Sequence, residues 1–161
     1  MLVALEKPSR AWPEILPILT KHYADWAVFS DEIPCDVDLD FYGTLEMQGR
    51  LLCATLREKG KLVGYMTAFL MPYRYSKGVL TLSGDMVYII PKYRGRFGFT
   101  KLARVILDEA QRRGARLLTM DEGQSPVVGV YLQREGFTAL SRTFAKWAGD
   151  GHGDRRGGNR G

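Results

Sequence analysis

Between Lys92 and Arg104 the chain places five cationic side chains, Lys92, Arg94, Arg96, Lys101 and Arg104, and no acid. Just before them lies an apolar, β-branched and aromatic run, Val87-Tyr88-Ile89-Ile90, that Pro91 ends. Just after them Leu102, Val105, Ile106 and Ala110 recur at helical spacing, and Gly114 follows Arg112 and Arg113 as a natural stop. The pattern reads as strand, tight basic turn, amphipathic helix. A turn from Lys92 to Thr100 that carries Gly95 and Gly98 offers backbone N–H donors and runs into a helix N-terminus. Unpaired N–H groups and the positive end of the helix dipole favour an anion there. The chemistry would be that of a phosphate cradle. An ordinary strand-to-helix turn with a solvated basic face fits the same residues, since glycine-containing turns are common.

The stretch Ile89-Ile90-Pro91-Lys92-Tyr93-Arg94-Gly95-Arg96-Phe97-Gly98 resembles the central motif of the Gcn5-related N-acetyltransferase (GNAT) superfamily. Arg94 fits the first position of that family's Gln/Arg-x-x-Gly-x-Gly/Ala pattern; Phe97 and Phe99 stand where small residues are usual. In having a less glycine-rich turn it is similar to GNAT proteins encoded by bacteriophages and prophages. The resemblance runs roughly from Trp12 to Trp147. It implies an α/β (α+β) fold: a mixed, mostly antiparallel sheet of six or seven strands, helices on both faces, and a central βαβ unit. It also implies acetyl transfer from acetyl-CoA to an amine by direct attack, without a covalent acyl-enzyme. The cofactor would lie along the backbone of Val87 and Ile89, where the central strand splays from the strand beginning at Ala115. Its pyrophosphate would meet Arg94, Gly95, Arg96, Phe97, Gly98, Phe99 and Thr100. That geometry requires both phenylalanines to turn away from the phosphates with negative φ, leaving Gly98 as the position free for positive φ.

Such an enzyme must also move protons. Asp85 is the general-base candidate: two-residue alternation puts it on the face of Val87 and Ile89, and burial in a cleft would raise its pKa. A turn aspartate after Ser83-Gly84 is the plain alternative. The family's thiolate acid is a tyrosine four residues before the glycine of a closing Gly-Phe pair, here Gly136-Phe137. That position holds Leu132, and Tyr131 is one residue earlier, so Tyr131 is the acid candidate. The displaced tyrosine and the two phenylalanines support a second reading, a catalytically inactive GNAT-fold binding or virion-associated module.

The remaining elements must position these groups. Leu2–Leu5 reads as a first strand. Trp12, Ile15, Leu16, Leu19, Tyr23 and Trp26 mark an amphipathic helix from Trp12 to Ala27, with Pro13 in its first turn, Pro17 bending or delaying it, and His22 on its surface. Asp38 caps a second helix through Met47. By the resemblance these two helices wall the acceptor pocket, so Asp36, Asp40 and Glu46 are candidate substrate contacts, or else solvated charges. Leu51–Arg57 and Lys61–Met71 form a hairpin around Glu58-Lys59-Gly60, and Pro72–Gly78 connects to the central strand from Val79. Ala115–Met120 is the parallel partner that closes the βαβ unit. Ser125-Pro126 starts a helix to about Glu135, stopped by Gly136, and Phe137–Trp147 is a final strand.

The chain has 161 residues, 45% of them apolar and 25% charged, and these figures suit one globular domain over residues 1–148. The tail from Gly149 to Gly161 is glycine- and arginine-rich, without an apolar side chain, and reads as a solvated end. No apolar run is long enough for a membrane and no secretory signal precedes the domain. Cys35 and Cys53 form no disulfide or metal pattern, so no metal is expected and the compartment reads as cytoplasmic, the host cytoplasm for a phage protein. The net charge of +5 is explained by an anionic cofactor. Nucleic acid is disfavoured because aromatic residues do not interleave with the basic ones as a stacking platform requires. The acceptor amine is not legible, and a homodimer or a virion or host protein partner stays open.

Overall fold

The computed structural model describes residues 1–95, 97–121, 126–140, 143 and 145–148. In chain order the elements are β1 (Leu2–Leu5), α1 (Pro8–Trp26), α2 (Leu39–Met47), β2 (Leu51–Glu58), β3 (Lys61–Pro72), β4 (Leu80–Ile89), a 3-10 turn (Pro91–Tyr93), α3 (Gly98–Arg112), β5 (Ala115–Thr119) and α4 (Pro126–Arg134). The strands form a five-stranded sheet in the order β1-β2-β3-β4-β5. Every neighbouring pair is antiparallel except β4 and β5, which are parallel and joined by α3. The expected βαβ unit is therefore present.

The expected sixth and seventh strands are not found among the described residues. Residues 137–140, 143 and 145–148 of the predicted final strand lie outside any ladder, and residues 141, 142 and 144 are outside the described residues. Thr138, Ala139 and Leu140 are exposed. A strand's register is set by burying one face, and none of the described residues of this stretch is buried.

Both faces of the sheet are covered, which is why β3 reads as a nearly continuous apolar run. On one face α3 lays Leu102, Ala103, Ile106 and Ala110 against Leu56, Val63, Met66, Ala68 and Leu82. On the other α1 lays Ala11, Trp12, Ile15 and Leu19 against Cys53, Leu62, Tyr65 and Tyr88. Helix α1 starts at Pro8, earlier than Trp12, and runs unbroken through Pro13 and Pro17. Pro8 suits the first position, where its missing N–H costs nothing. The next N–H, of Ser9, donates to Glu46 Oε2 at 2.8 Å, and the Ser9 hydroxyl donates to Oε1 at 2.8 Å. Glu46, a candidate substrate contact from sequence, is thus committed to capping α1 from α2.

His22 is the second correction on this helix. It is buried rather than on the surface. Its Nδ1 lies 2.7 Å from the Tyr65 hydroxyl and its ring stacks on Tyr88 with centroids 4.7 Å apart. The Tyr88 hydroxyl donates to Asp25 at 3.3 Å. Burial pushes the His22 pKa down to about 4, so the ring is neutral at pH 7.

Candidate active site

The site is organised by an irregularity in β4. Met66 pairs with Val87 and Ala68 pairs with Gly84, so one residue of β3, Thr67, faces two of β4, Asp85 and Met86. This is a β-bulge, and a bulge interrupts alternation and sharpens local twist. Leu82, Val87 and Ile89 belong to the α3 face, whereas Met86, Tyr88 and Ile90 belong to the α1 face. Asp85 contacts Tyr42 of α2 and shares the α1 face. The expectation that Asp85 lies on the side of Val87 and Ile89 is therefore wrong, because simple alternation does not survive the extra residue.

The bulge coincides with the end of pairing on the other side. The β4–β5 ladder stops at Ser83 and Thr119, whose hydroxyl donates to Leu82 O at 3.0 Å, while β4 continues to Ile89. Beyond that point, among the described residues, β4 has no strand paired on its β5 side. Ile90 N–H bonds Val63 O on β3 at 3.0 Å. By alternation the peptide groups of Ile89 and Val87 point the opposite way, toward the β5 side. One of these acceptors is already used: Arg94 Nε donates to Ile89 O at 2.8 Å, with its guanidinium 5.4 Å from the centre of the Tyr88 ring.

Beyond β4 the chain turns into α3. The positive φ values fall on Gly95 (+79°) and Phe97 (+57°), not on Gly98. Phe97 is the residue before the helix, in the left-handed region, with its side chain 78% exposed. Gly98 opens α3 and is required for closeness rather than for φ. A Cβ there would meet Ile89 Cδ1 and Leu56 Cδ2, each at 3.0 Å. Phe99 turns inward, edge-on to Tyr131 with centroids 5.0 Å apart. The first intrahelical bond is Lys101 N–H to Phe97 O, and Phe97 supplies no side-chain cap. Among the described residues the N–H groups of Gly98, Phe99 and Thr100 have no partner ahead of that bond, the arrangement that suits an anion at a helix N-terminus. Arg96 lies outside the described residues.

Asp85 accepts hydrogen bonds from Thr67 Oγ1 at 2.8 Å and from the Tyr42 hydroxyl at 3.1 Å. Burial raises its pKa above the ordinary carboxylate value, and the two hydrogen bonds oppose that rise. Burial, and then the Asp85 charge, push the Tyr42 phenol up, so that it stays a donor. Thr67 Oγ1 also accepts Met86 N–H at 3.2 Å, which ties the bulge to β3. Tyr42 and Thr67 were missed as site residues because nothing in their spacing shows the bulge that brings them to Asp85.

From the other face α4 contributes Tyr131. Its hydroxyl is buried and, among the described residues, has no hydrogen-bond partner, and burial raises its pKa. The helix ends as expected: Gly136 takes φ +86° and Phe137 N–H bonds Leu132 O at 2.9 Å. Leu132, at the position where the resemblance expects the acid, is buried as core. Among the other candidates, Asp36 and Asp40 are exposed. Cys53 is buried, and its thiol is pushed up to about 12 by burial, so it is an inert core residue. No group of three or more His, Cys, Asp or Glu among the described residues could hold a metal ion. A groove of about 920 Å³ lies elsewhere, between the start of α1, α2 and the first residues of β2.

The profile of the acetyltransferase (GNAT) family matches residues 12–137. The chain belongs to this family. Its acetyltransferases use acetyl-CoA, and the end of the β4–β5 ladder and the N-terminus of α3, unpartnered among the described residues, fit such a ligand. Solved structures carry the same fold. A ribosomal-protein-alanine N-acetyltransferase from Brucella melitensis biovar Abortus 2308 is 23% identical with a TM-score of 0.63, over 91% of this chain and 100% of that one. A predicted acetyltransferase from Clostridium acetobutylicum, solved with acetyl-CoA, is 12% identical with a TM-score of 0.68, over 90% and 96%. The aminoglycoside N-acetyltransferase AAC(6')-Iy, solved with CoA, is 12% identical with a TM-score of 0.66, over 91% and 98%. No curated protein matches significantly in sequence. No helix of this GNAT protein, among the described residues, is long and apolar enough to cross a membrane.

Proposed function

We propose that this GNAT protein acetylates an amine by direct attack, with Asp85 as general base and Tyr131 as general acid. The observation that carries the reading is the half-buried Asp85 carboxylate, held by Thr67 and Tyr42 at the bulge where β4 runs on past the end of its ladder with β5. Bound there, acetyl-CoA supplies the activated acetyl group. The peptide groups of Val87 and Ile89 orient the ligand by strand addition, and the N–H groups of Gly98, Phe99 and Thr100 hold phosphate oxygens. Arg94, fixed on Ile89 O, and Arg96 add positive charge. Asp85 accepts a proton from the amine as nitrogen bonds to the acyl carbon. Tyr131 donates a proton to sulfur as the carbon–sulfur bond breaks. Exclusion of bulk water by α1, α2 and α4 keeps both groups strong.

The alternative, a GNAT fold without catalysis, draws on Phe97, Phe99 and the displaced tyrosine, and the match to an acetyltransferase family does not favour it. Calorimetry with acetyl-CoA and a thiol-release assay with a panel of amines test the proposal together. Micromolar binding and amine-dependent thiol release are expected. A folded protein giving no heat at millimolar acetyl-CoA would refute it.

A further inference from the structure

Both side-chain hydrogen bonds that Asp85 accepts end on the same oxygen. The Thr67 hydroxyl donates to Oδ2 at 2.8 Å and the Tyr42 hydroxyl donates to Oδ2 at 3.1 Å. The donors come from different elements, β3 and α2. A carboxylate turns easily about its last bond, because that torsion has broad wells. Two donors converging on one oxygen from two fixed elements remove the freedom. Oδ1 takes neither bond and is left as the more basic oxygen, since a donor stabilises negative charge on the atom it reaches.

Neither donor drifts. Thr67 is fully buried, and its Oγ1 also accepts Met86 N–H at 3.2 Å. Tyr42 stands edge-on to Trp12 of α1 with centroids 4.9 Å apart, and its ring lies 6.0 Å from that of Phe69 on β3. One turn further along α2, on the same side of the helix, Glu46 accepts both bonds from Ser9. Two side chains of α2 thus reach in different directions, Glu46 to α1 and Tyr42 to β4.

The groups around Asp85 leave its ionisation to these donors. Tyr42 faces it from α2, and Thr67 and Tyr65 from β3. Beyond Tyr65 lies His22 of α1, 2.7 Å from the Tyr65 hydroxyl, and Cys35 of the segment before α2 shares the cluster. Burial keeps both phenols protonated, and His22 is neutral at pH 7. Among the described residues no cation offsets the burial of Asp85; Thr67 and Tyr42 do.

Resting on the assignment of Asp85 as general base above, we infer that Tyr42 is the positioning residue for that base: from α2 it pins Oδ2 and presents Oδ1 to the acceptor nitrogen. The proton leaves nitrogen for Oδ1 as nitrogen bonds to the acyl carbon, and Oδ2 keeps its two donors throughout. Sulfur departs with the Tyr131 proton. Helix α2 therefore carries no reacting group through Tyr42, yet its seating on the sheet sets the direction and the strength of the base.

The test reads Asp85 directly. Protein labelled with carbon-13 at the aspartate carboxyls is titrated by NMR, the Asp85 signal being assigned by its absence from Asp85→Asn. In parallel kcat/KM is followed against pH with n-butylamine, ethanolamine and benzylamine, whose own titrations are common to native and variant and cancel in the comparison. In Tyr42→Phe the Asp85 midpoint should rise by about one pH unit, the worth of one hydrogen bond to a charged group. The acid limb of kcat/KM should follow it, and acetyl-CoA affinity by calorimetry should stay unchanged. Replacing Tyr42 by 3-fluorotyrosine keeps the ring and strengthens the donor, so it should move midpoint and limb the opposite way; a merely structural tyrosine would show no such reversal. An Asp85 midpoint indifferent to both changes would overturn the inference, and loss of turnover in Asp85→Asn would then leave the general-base assignment standing. A midpoint that moves while the acid limb stays would overturn inference and assignment together, as would absence of turnover with all three amines in a protein that binds acetyl-CoA.

Discussion

Replacing Gly98 by alanine should destabilise this protein, against the usual sign for a helical glycine. The added Cβ would stand 3.0 Å from Ile89 Cδ1 and from Leu56 Cδ2. Carbon atoms in comfortable contact are about 3.5–4.0 Å apart, so the methyl overlaps both neighbours by roughly half an ångström or more. Leu56 is 0% exposed and Ile89 is 9% exposed, so neither can swing into solvent. Overpacking of this kind costs about 1–3 kcal/mol, and the better helix propensity of alanine returns at most about 1 kcal/mol. The balance is a loss of about 1 kcal/mol, which in a domain of this size lowers Tm by about 2–4 °C. Gly98→Val should lose roughly 3 kcal/mol. Next door the sign reverses. Phe97 holds φ +57°, and an L-residue there sacrifices about 1–2 kcal/mol. Glycine recovers that and gives back about 0.4–1 kcal/mol through its freer unfolded state, so Phe97→Gly should be neutral or stabilising by up to about 1 kcal/mol. Thermal unfolding followed by circular dichroism measures all three. A higher Tm for Gly98→Ala together with a lower one for Phe97→Gly would show that φ, not space, fixes the glycine.

Asp85→Asn should lower kcat by about two to four decades with acetyl-CoA affinity unchanged; an unaltered acid limb of the pH–rate profile would reject Asp85 as the base. Because its folded pKa is raised, Asp85 favours the folded state only while protonated, and that contribution is lost as pH rises through the folded value. The asparagine variant should accordingly gain Tm at pH 7 relative to native and lose that gain below pH 4. Tyr131→Phe removes a buried hydroxyl without a partner, so it should unfold at a higher temperature without ligand while turning over more slowly, and full activity would leave water as the acid. His22 has the opposite linkage to Asp85: its pKa falls from 6.5 to about 4, so the unfolded chain binds more protons between those values and stability drops by about 3 kcal/mol as pH falls through that window. His22→Gln should flatten the drop, as denaturant titrations at pH 7 and pH 4 would show.

What sequence could reveal divides along a physical line. Helix α3, its stop at Gly114 and the parallel pairing of β4 with β5 were legible because periodicity and glycine placement are local. The resemblance named the backbone of Val87 and Ile89 as the cofactor's strand edge, and that assignment stays a proposal for ligand binding to test. The bulge at Asp85–Met86 was not, because an extra residue in a strand looks like any other residue until its partner strand is known. That one unreadable event moved Asp85 to the other face and hid Tyr42 and Thr67. Phe97 was misjudged for a related reason: a bulky residue at positive φ opposes local preference, and only the packing of Gly98 against Leu56 and Ile89 imposes it. His22 and Glu46 carry polar side chains that sequence reads as solvated; their partners Tyr65 and Ser9 lie 43 and 37 residues away.

The β4–β5 ladder ends at Ser83 and Thr119 while β4 runs on to Ile89, and on the proposed reading the two substrates meet there from opposite faces of the sheet, which bears on the order of events. A ligand filling the α3 side leaves the α1 side accessible, and the converse holds equally. Neither substrate need wait for the other, and neither product is trapped behind its companion. The kinetic form that follows is a ternary complex assembled in either sequence, in which free CoA competes with acetyl-CoA alone and the acetylated amine competes with the amine alone.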